Sequence, residues 1–250
     1  MIARLLDALA LPSTARMTPR GVKRELTSNL VGPRTDKQLL ETKLASVEVV
    51  GVLRPNELGI AAFAGDGRDY AEIVVLAAKL QDADRRARIE ELLHRAVHNP
   101  VVLLLEAADA SWLSLAHKRP APAAAAGVVL DEVATAPAAP PSASTDAFLG
   151  SVALRLQPAT HLFALYQGWI DCVLAAQAAA LTGVYAVIAG THRREALAQH
   201  QRLEDELERL RAEARRTVQI ARRVELHLAI KRLEAELRTR VELLSRKPTA

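Results

Sequence analysis

Apolar and polar positions follow two different periods along the first half of the chain. "VEVVGVLRP" (Val47–Pro55) and "EIVVLAAKL" (Glu72–Leu80) are dense in β-branched residues and predict two strands. The turn formers of "AGDGRD" (Ala64–Asp69) separate them. In "DADRRARIEELLHRAVHNP", Ile89, Leu92, Leu93 and Val97 keep helical spacing and Pro100 stops the run. "VVLLLEA" (Val101–Ala107) then predicts a buried strand, and "SWLSLAHK" (Ser111–Lys118) its hairpin partner. This order, approximately ββαββ plus extra strands, predicts an α+β core: a small mixed sheet packed with helices.

The flanking segments extend that core. "MIARLLDALALP" predicts a short amphipathic helix ending before Pro12. "STARMTPRGVKRELTSNL" (13–30) reads as helical or irregular, with Thr18-Pro19 as a helix start, and "TDKQLLETKLAS" (35–46) as a helix. Residues 119–147 are Pro/Ala/Ser-rich at both ends and predict a linker, whose centre "GVVLDEV" offers a strand. "GSVALRLQP" (150–158) alternates and predicts another strand. His161–Ala189 is strongly apolar, and the 18 residues from Cys172 carry no charge. Their Ala content, with Gln177, Thr182, Gly183 and the neighbouring Asp171, favours a buried helix covering the sheet over a membrane span.

From Thr191 to Lys247 there is neither Gly nor Pro, while Gly190 and Pro248 punctuate the ends. Leu203, Leu207, Leu210, Ala214, Thr217, Ala221, Val224 and Leu228 alternate spacings of four and three, as in a coiled coil. Leu226, Ile230, Leu233, Leu237 and Leu244 form a second phase, offset by two. The phase change, at the weakest part of the seam, permits either one long coiled-coil helix or a helical hairpin. The division expected is a core at 1–118, a linker at 119–147, a strand and buried helix completing the core at 148–190, and a charged helical segment at 191–247.

Composition sharpens this picture. Of 250 residues, half are hydrophobic but only 3% aromatic, so Leu, Val, Ile and Ala must build the core. A single cysteine, Cys172, excludes an internal disulfide and fits a reducing compartment. Arg4 and Asp7 interrupt the N-terminal apolar run, so no secretory leader is read there, and a cytoplasmic protein is expected. The formal charge of +4 is uneven: 191–247 holds 15 basic and 10 acidic residues, and the remainder sums to −1.

The candidate binding residues lie in that basic segment. Arg202, Arg209, Arg216 and Arg223 recur every seven residues, predicting one stripe about 30 Å long on a continuous helix, with Arg215 and Arg222 beside it. Most neighbouring charges are paired acid-first at i, i+4: Asp205 with Arg209, Glu234 with Arg238, Glu236 with Arg240, Glu242 with Arg246. Arg216 has Glu213 in reach and Arg222 has Glu225, whereas Arg215 and Arg223 have no acid three or four residues away. Unpaired guanidiniums can bind phosphate or acids on a protein partner. A solvated helix face explains the same pattern without a ligand.

Catalytic signatures are sparse. "ETK" (Glu41–Lys43) matches the Glu-x-Lys of PD-(D/E)xK nucleases but sits in a predicted helix, where that fold needs a strand. Other core carboxylates open to a metal-dependent nuclease are Asp66, Asp69 and Glu72. Glu72 and Lys79 share a predicted strand but point to opposite faces. His94 and His98, spaced i, i+4, lack an evident third ligand and read as surface histidines at a helix C-terminus. Cys172 reads as core packing, and "AGDGRD" lacks the Lys-Ser/Thr of a P-loop. No cofactor, metal site or catalytic residue is assigned.

"QIARRVELHLAIKRLEAEL" resembles the tail of an uncharacterised bacterial family, the domain of unknown function 4391, in Gln219, Arg223, Val224, Glu225 and Leu226, with His227 where that family usually has Asn. "LALP", "AEIVVLAAKL" and "NPVVLLLEA" are similar to its upstream elements in the same order. Genes of this family tend to lie beside helicases and DNA methyltransferases in anti-phage defence clusters. The resemblance therefore implies a non-catalytic accessory subunit in DNA restriction-modification. Such a subunit would dock a helicase, a methyltransferase or a second copy through the C-terminal coiled coil, with added contact to the DNA backbone. A divergent nuclease is the alternative.

Overall fold

The computed structural model describes residues 1–121, 127–139, 141–188 and 191–245. They divide into two units, 1–176 and 177–250. The first runs α1 (Ile2–Leu9), β1 (Arg16–Gly21), α2 (Lys23–Asn29), α3 (Arg34–Lys43), β2 (Leu44–Leu53), α4 (Pro55–Leu58), β3 (Phe63–Gly65), β4 (Arg68–Tyr70), β5 (Ile73–Leu80), α5 (Arg86–Ala96), β6 (Val101–Ala107), β7 (Ala110–Pro120), β8 (Val128–Ala139), α6 (Ala143–Ser151) and most of α7 (Leu162–Thr182). α8 (Thr191–Arg216) and α9 (Ile220–Ser245) belong to the second.

Six strands form one mixed sheet in the order β1-β2-β5-β6-β7-β8. Only β5 and β6 are parallel; α5 makes the crossover that a parallel pair requires. This is the expected α+β class, with the ββαββ core at the centre of the sheet. Side chains alternate across it. Ser114 and Lys118 face α5, whereas His117 faces α7. On the α5 side, Leu76, Leu103 and Leu105 pack with Leu26, Leu40, Ile89 and Leu93. On the other side Tyr166 of α7 inserts its hydroxyl into the sheet. It donates to Val101 O at 2.7 Å and accepts from Ala116 N at 2.9 Å. These two groups would form the next ladder pair after Val102↔Leu115, so the hydroxyl substitutes for a strand contact where β6 and β7 part.

Three segments differ from expectation. Thr18-Pro19 does not start a helix but lies in β1, and α2 begins only at Lys23. Proline is tolerated there because β1 is an edge strand whose register slips between Arg16 and Arg20. Within the expected linker, β8 extends through Pro137 to Ala139 and α6 begins at Ala143, capped by Ser142. Here too the proline sits on an edge strand. Residues 122–126 and 140 of that stretch lie outside the described residues.

"GSVALRLQP" is no strand: α6 runs through Ser151, and a single 3₁₀ turn covers Leu154–Leu156. Side chains have taken its carbonyls. Gln157 donates to Ser151 O and Ala153 O, and Trp169 donates to Val152 O. These carbonyls thus find their donors locally, without a neighbouring strand. The apolar stretch from His161 forms α7 as expected, and no helix among the described residues is long and apolar enough to cross a membrane.

Candidate contact surface on the C-terminal hairpin

α8 and α9 fold back on each other as an antiparallel pair, so the segment is a hairpin rather than one long helix. Leu207 and Ala214 pack against Leu226 and Ile230, flanked by Leu210, Leu233 and Leu237. Arg211 bonds Glu234 across the arms at 2.9 Å, and Arg240 bonds Gln199 at 2.6 Å. Being half-exposed, such contacts set register more than they stabilise. The connection is Thr217–Gln219, where the Thr217 hydroxyl donates back to Glu213 O.

The two apolar phases explain the fold-back and its consequence. On α8 the first phase turns inward; on α9 the second phase replaces it. The first-phase residues Val224 and Leu228 are each left 53% exposed. With Ile220, 71% exposed, they form a row at spacing four on the outside of α9, and Val218 at the crown is 90% exposed. Four large apolar side chains therefore face outward around one end of the hairpin.

This fold-back also breaks the predicted arginine stripe. Arg202, Arg209 and Arg216 lie on α8, which ends at Arg216, and Arg223 lies on the opposite arm. Pairing within helices is also rearranged. Arg209 takes Glu206 at 2.8 Å and Glu213 at 3.9 Å instead of Asp205, while Glu234 reaches across to Arg211 instead of Arg238. Glu236–Arg240 forms as expected at 3.5 Å, and Arg246 lies outside the described residues. Arg222 is held by Glu213 from the other arm at 2.9 Å and by Glu225 at 3.1 Å. Glu213, which the sequence places near Arg216, is thus shared by Arg209 and Arg222. Arg215 and Arg223 converge from the two arms on an open cleft of about 440 Å³. Arg211 and His227 share its walls, and Ala214 and Ile230 form its apolar floor.

In the α+β unit, the carboxylates considered for a nuclease are dispersed. Glu41 is exposed on α3. Asp66 occupies the left-handed turn of the β3–β4 hairpin, with Asp69 on β4. Glu72 precedes β5 and accepts from Asn99 at 2.6 Å. Among the described residues no three His, Cys, Asp or Glu side chains are grouped to hold a metal ion. Cys172 is buried, as expected. Another feature was missed in the sequence: Lys23, Arg24 and Lys37 line an open groove between α2 and α3, with Glu41 its one acid.

His94 corrects its surface assignment: it is fully buried, whereas His98 is exposed. Its Nε2 lies 3.1 Å from Ser114 Oγ, which lies 3.1 Å from Thr135 Oγ1, which donates to Glu90 at 2.8 Å. Glu90 also pairs with Arg86. With Glu90 ionised, one hydroxyl hydrogen per residue fixes the direction: His94 Nε2–H to Ser114, Ser114 to Thr135, Thr135 to Glu90. His94 Nδ1 then remains a buried acceptor without a partner among the described residues. Burial, and secondarily the charge of Lys118, hold His94 well below the usual histidine range. Burial pushes the Glu90 carboxyl up, against Arg86 and Thr135. Nothing in the sequence period distinguished this polar row from surface residues. Replacing Thr135 by Val is expected to cost about 1–3 kcal/mol, because Glu90 keeps only Arg86 and the Ser114 hydroxyl loses its acceptor; urea denaturation showing no loss would mean that the row adds no net stability.

The molecule is thus an α+β protein with a mixed six-stranded sheet and a C-terminal pair of helices. Residues 9–237 match the family model described as "Domain of unknown function (DUF4391)", and the chain belongs to that family. No curated protein and no solved structure matches it.

Proposed function

We propose that this protein is a non-catalytic accessory subunit of a bacterial DNA restriction-modification or anti-phage system, which docks a helicase or DNA methyltransferase through its C-terminal hairpin. The observation that carries the reading is the outward row Ile220, Val224 and Leu228 with Val218 at the crown. Exposed apolar side chains grouped this way mark interaction surfaces. Partner choice rests on the gene neighbourhood implied by the family resemblance. Basic residues beside the row favour a partner whose apolar groove has an acidic rim, and arginines of the hairpin add contact to the DNA on which that partner acts.

The test is co-expression with a DNA helicase and, separately, a DNA methyltransferase from such a defence cluster, followed by size-exclusion chromatography. Val224→Asp with Leu228→Asp is expected to abolish co-elution while circular dichroism stays unchanged, since neither side chain packs in the hairpin core. Undiminished co-elution of the double variant, or a wild-type dimer that the same substitutions split, overturns the reading. In the second case the row serves a second copy.

A further inference from the structure

The six candidate arginines of the basic segment are not equivalent. Arg209 and Arg222 share Glu213, and Arg222 has Glu225 as well. Arg215 and Arg223 instead line a cleft whose walls are otherwise Arg211 and His227, with no carboxylate in the lining. They lie eight residues apart in sequence on separate helices, and only the fold-back brings them to one site. Arg211 is held in place by Glu208 at 3.0 Å and Glu234 at 2.9 Å, both outside the lining. The floor is made of Ala214 and Ile230, only 7% and 8% exposed, so water has few groups there to hydrate.

We propose that this cleft is a phosphate site, in which Arg215 from one arm and Arg223 from the other clamp a phosphate of a nucleic-acid backbone. Guanidinium forks match phosphate oxygens in pairs, and two forks from different helices can grip one group from two sides. Arg211 adds positive potential, and His227 adds a ring nitrogen at the wall. The ligand class follows from shape as well as charge. The cleft is open and no Phe, Tyr or Trp lines it, His227 being its one ring, so it admits a passing backbone and does not enclose a nucleotide. This assignment rests on the DNA contact proposed above, places it on two particular arginines, and uses different residues from the apolar row. Loss of one function therefore leaves the other measurable.

The experiment uses the full chain and a fluorescein-labelled duplex, with anisotropy followed over a salt series. Arg215→Ala with Arg223→Ala is expected to weaken binding roughly tenfold or more and to lower the salt slope by about 0.9, the value for one phosphate contact. Arg209→Ala with Arg222→Ala removes the same formal charge and frees Glu213, yet is expected to change the slope less. An equal or larger loss in this control reduces the effect to net charge and overturns the site. Inorganic phosphate and ATP, added as competitors, separate the sources: displacement of duplex only at millimolar phosphate supports a backbone site, and tight competition by ATP assigns the same clamp to free nucleotides. Preferential binding of poly-glutamate over duplex, sensitive to the same two arginines, overturns the phosphate assignment in favour of an acidic protein.

Discussion

Replacing Lys118 by Met should lower stability at neutral pH and flatten its dependence on pH above 7. Lys118 is 5% exposed, and its ammonium donates to Val97 O and Asn99 O just beyond the C-terminus of α5. It ties the segment that follows the helix to β7 and satisfies two carbonyls of that segment, Val97 at the C-cap and Asn99 two residues on. Met keeps the stem but leaves both acceptors unmatched, a loss of about 2–4 kcal/mol. Burial pushes the Lys118 pKa down to about 7 from 10.5. Between those two values the unfolded chain binds the proton that the folded chain gives up. Stability therefore rises with pH across that window, by at most ~1.4 kcal/mol per unit. The two carbonyls, which favour the charged form, make this slope a ceiling. Urea denaturation at pH 7, 8 and 9.5 reads both effects: the wild type should gain on the variant as pH rises. Parallel curves would show that Lys118 keeps its charge throughout.

Lys118 also illustrates what the sequence could convey. The strand "SWLSLAHK" and its pairing with "VVLLLEA" were legible, because apolar runs around a short turn leave few alternatives. Its polar members were not: Ser114 and Lys118 alternate with Leu113 and Leu115 as they would on a half-exposed strand. Both lie under α5, and one chain's periodicity does not reveal that both faces are covered. Edge strands were hard to read for the opposite reason. β1 and β8 contain Pro19 and Pro137, which argue against a strand unless its position in the sheet is already known.

The C-terminal segment was legible to the level of its phases. The apolar offset at Ala214–Ala221 allowed a fold-back, and the arms use one phase each. Seven-residue repetition misled on the arginines, because a stripe drawn on one continuous helix ends where that helix ends. Arg215 and Arg223 stand out in the sequence by the acids missing around them, a local signal that survives any change in tertiary arrangement. Their convergence with Arg211 and His227 could come only from the register of the two arms.

Trp169→Ala should be the most damaging single substitution in the α+β unit. Trp169 is fully buried on α7, and its indole N–H donates to Val152 O at 2.7 Å, at the end of α6. The substitution removes the largest fully buried side chain and orphans a carbonyl that has no sheet partner. Cavity formation alone costs about 3–5 kcal/mol for such a truncation, a large share of the roughly 5–15 kcal/mol that holds a typical domain. Relaxation has little room, because Gly168 beside it already lies against Pro158 and Gln157: a Cβ there would sit 2.6 Å from the proline ring and 2.7 Å from Gln157 Oε1. Trp169→Phe separates the contributions, since it keeps most of the apolar volume and loses the hydrogen bond; it should cost less than half as much. Thermal denaturation should place the Ala variant about 6–20 °C below the wild type, at roughly 2–4 °C per kcal/mol for a chain of this size. Equal losses for Phe and Ala would locate the whole effect in the Val152 hydrogen bond, and a shift under about 3 °C would mean that α7 does not depend on Trp169 for its hold on α6.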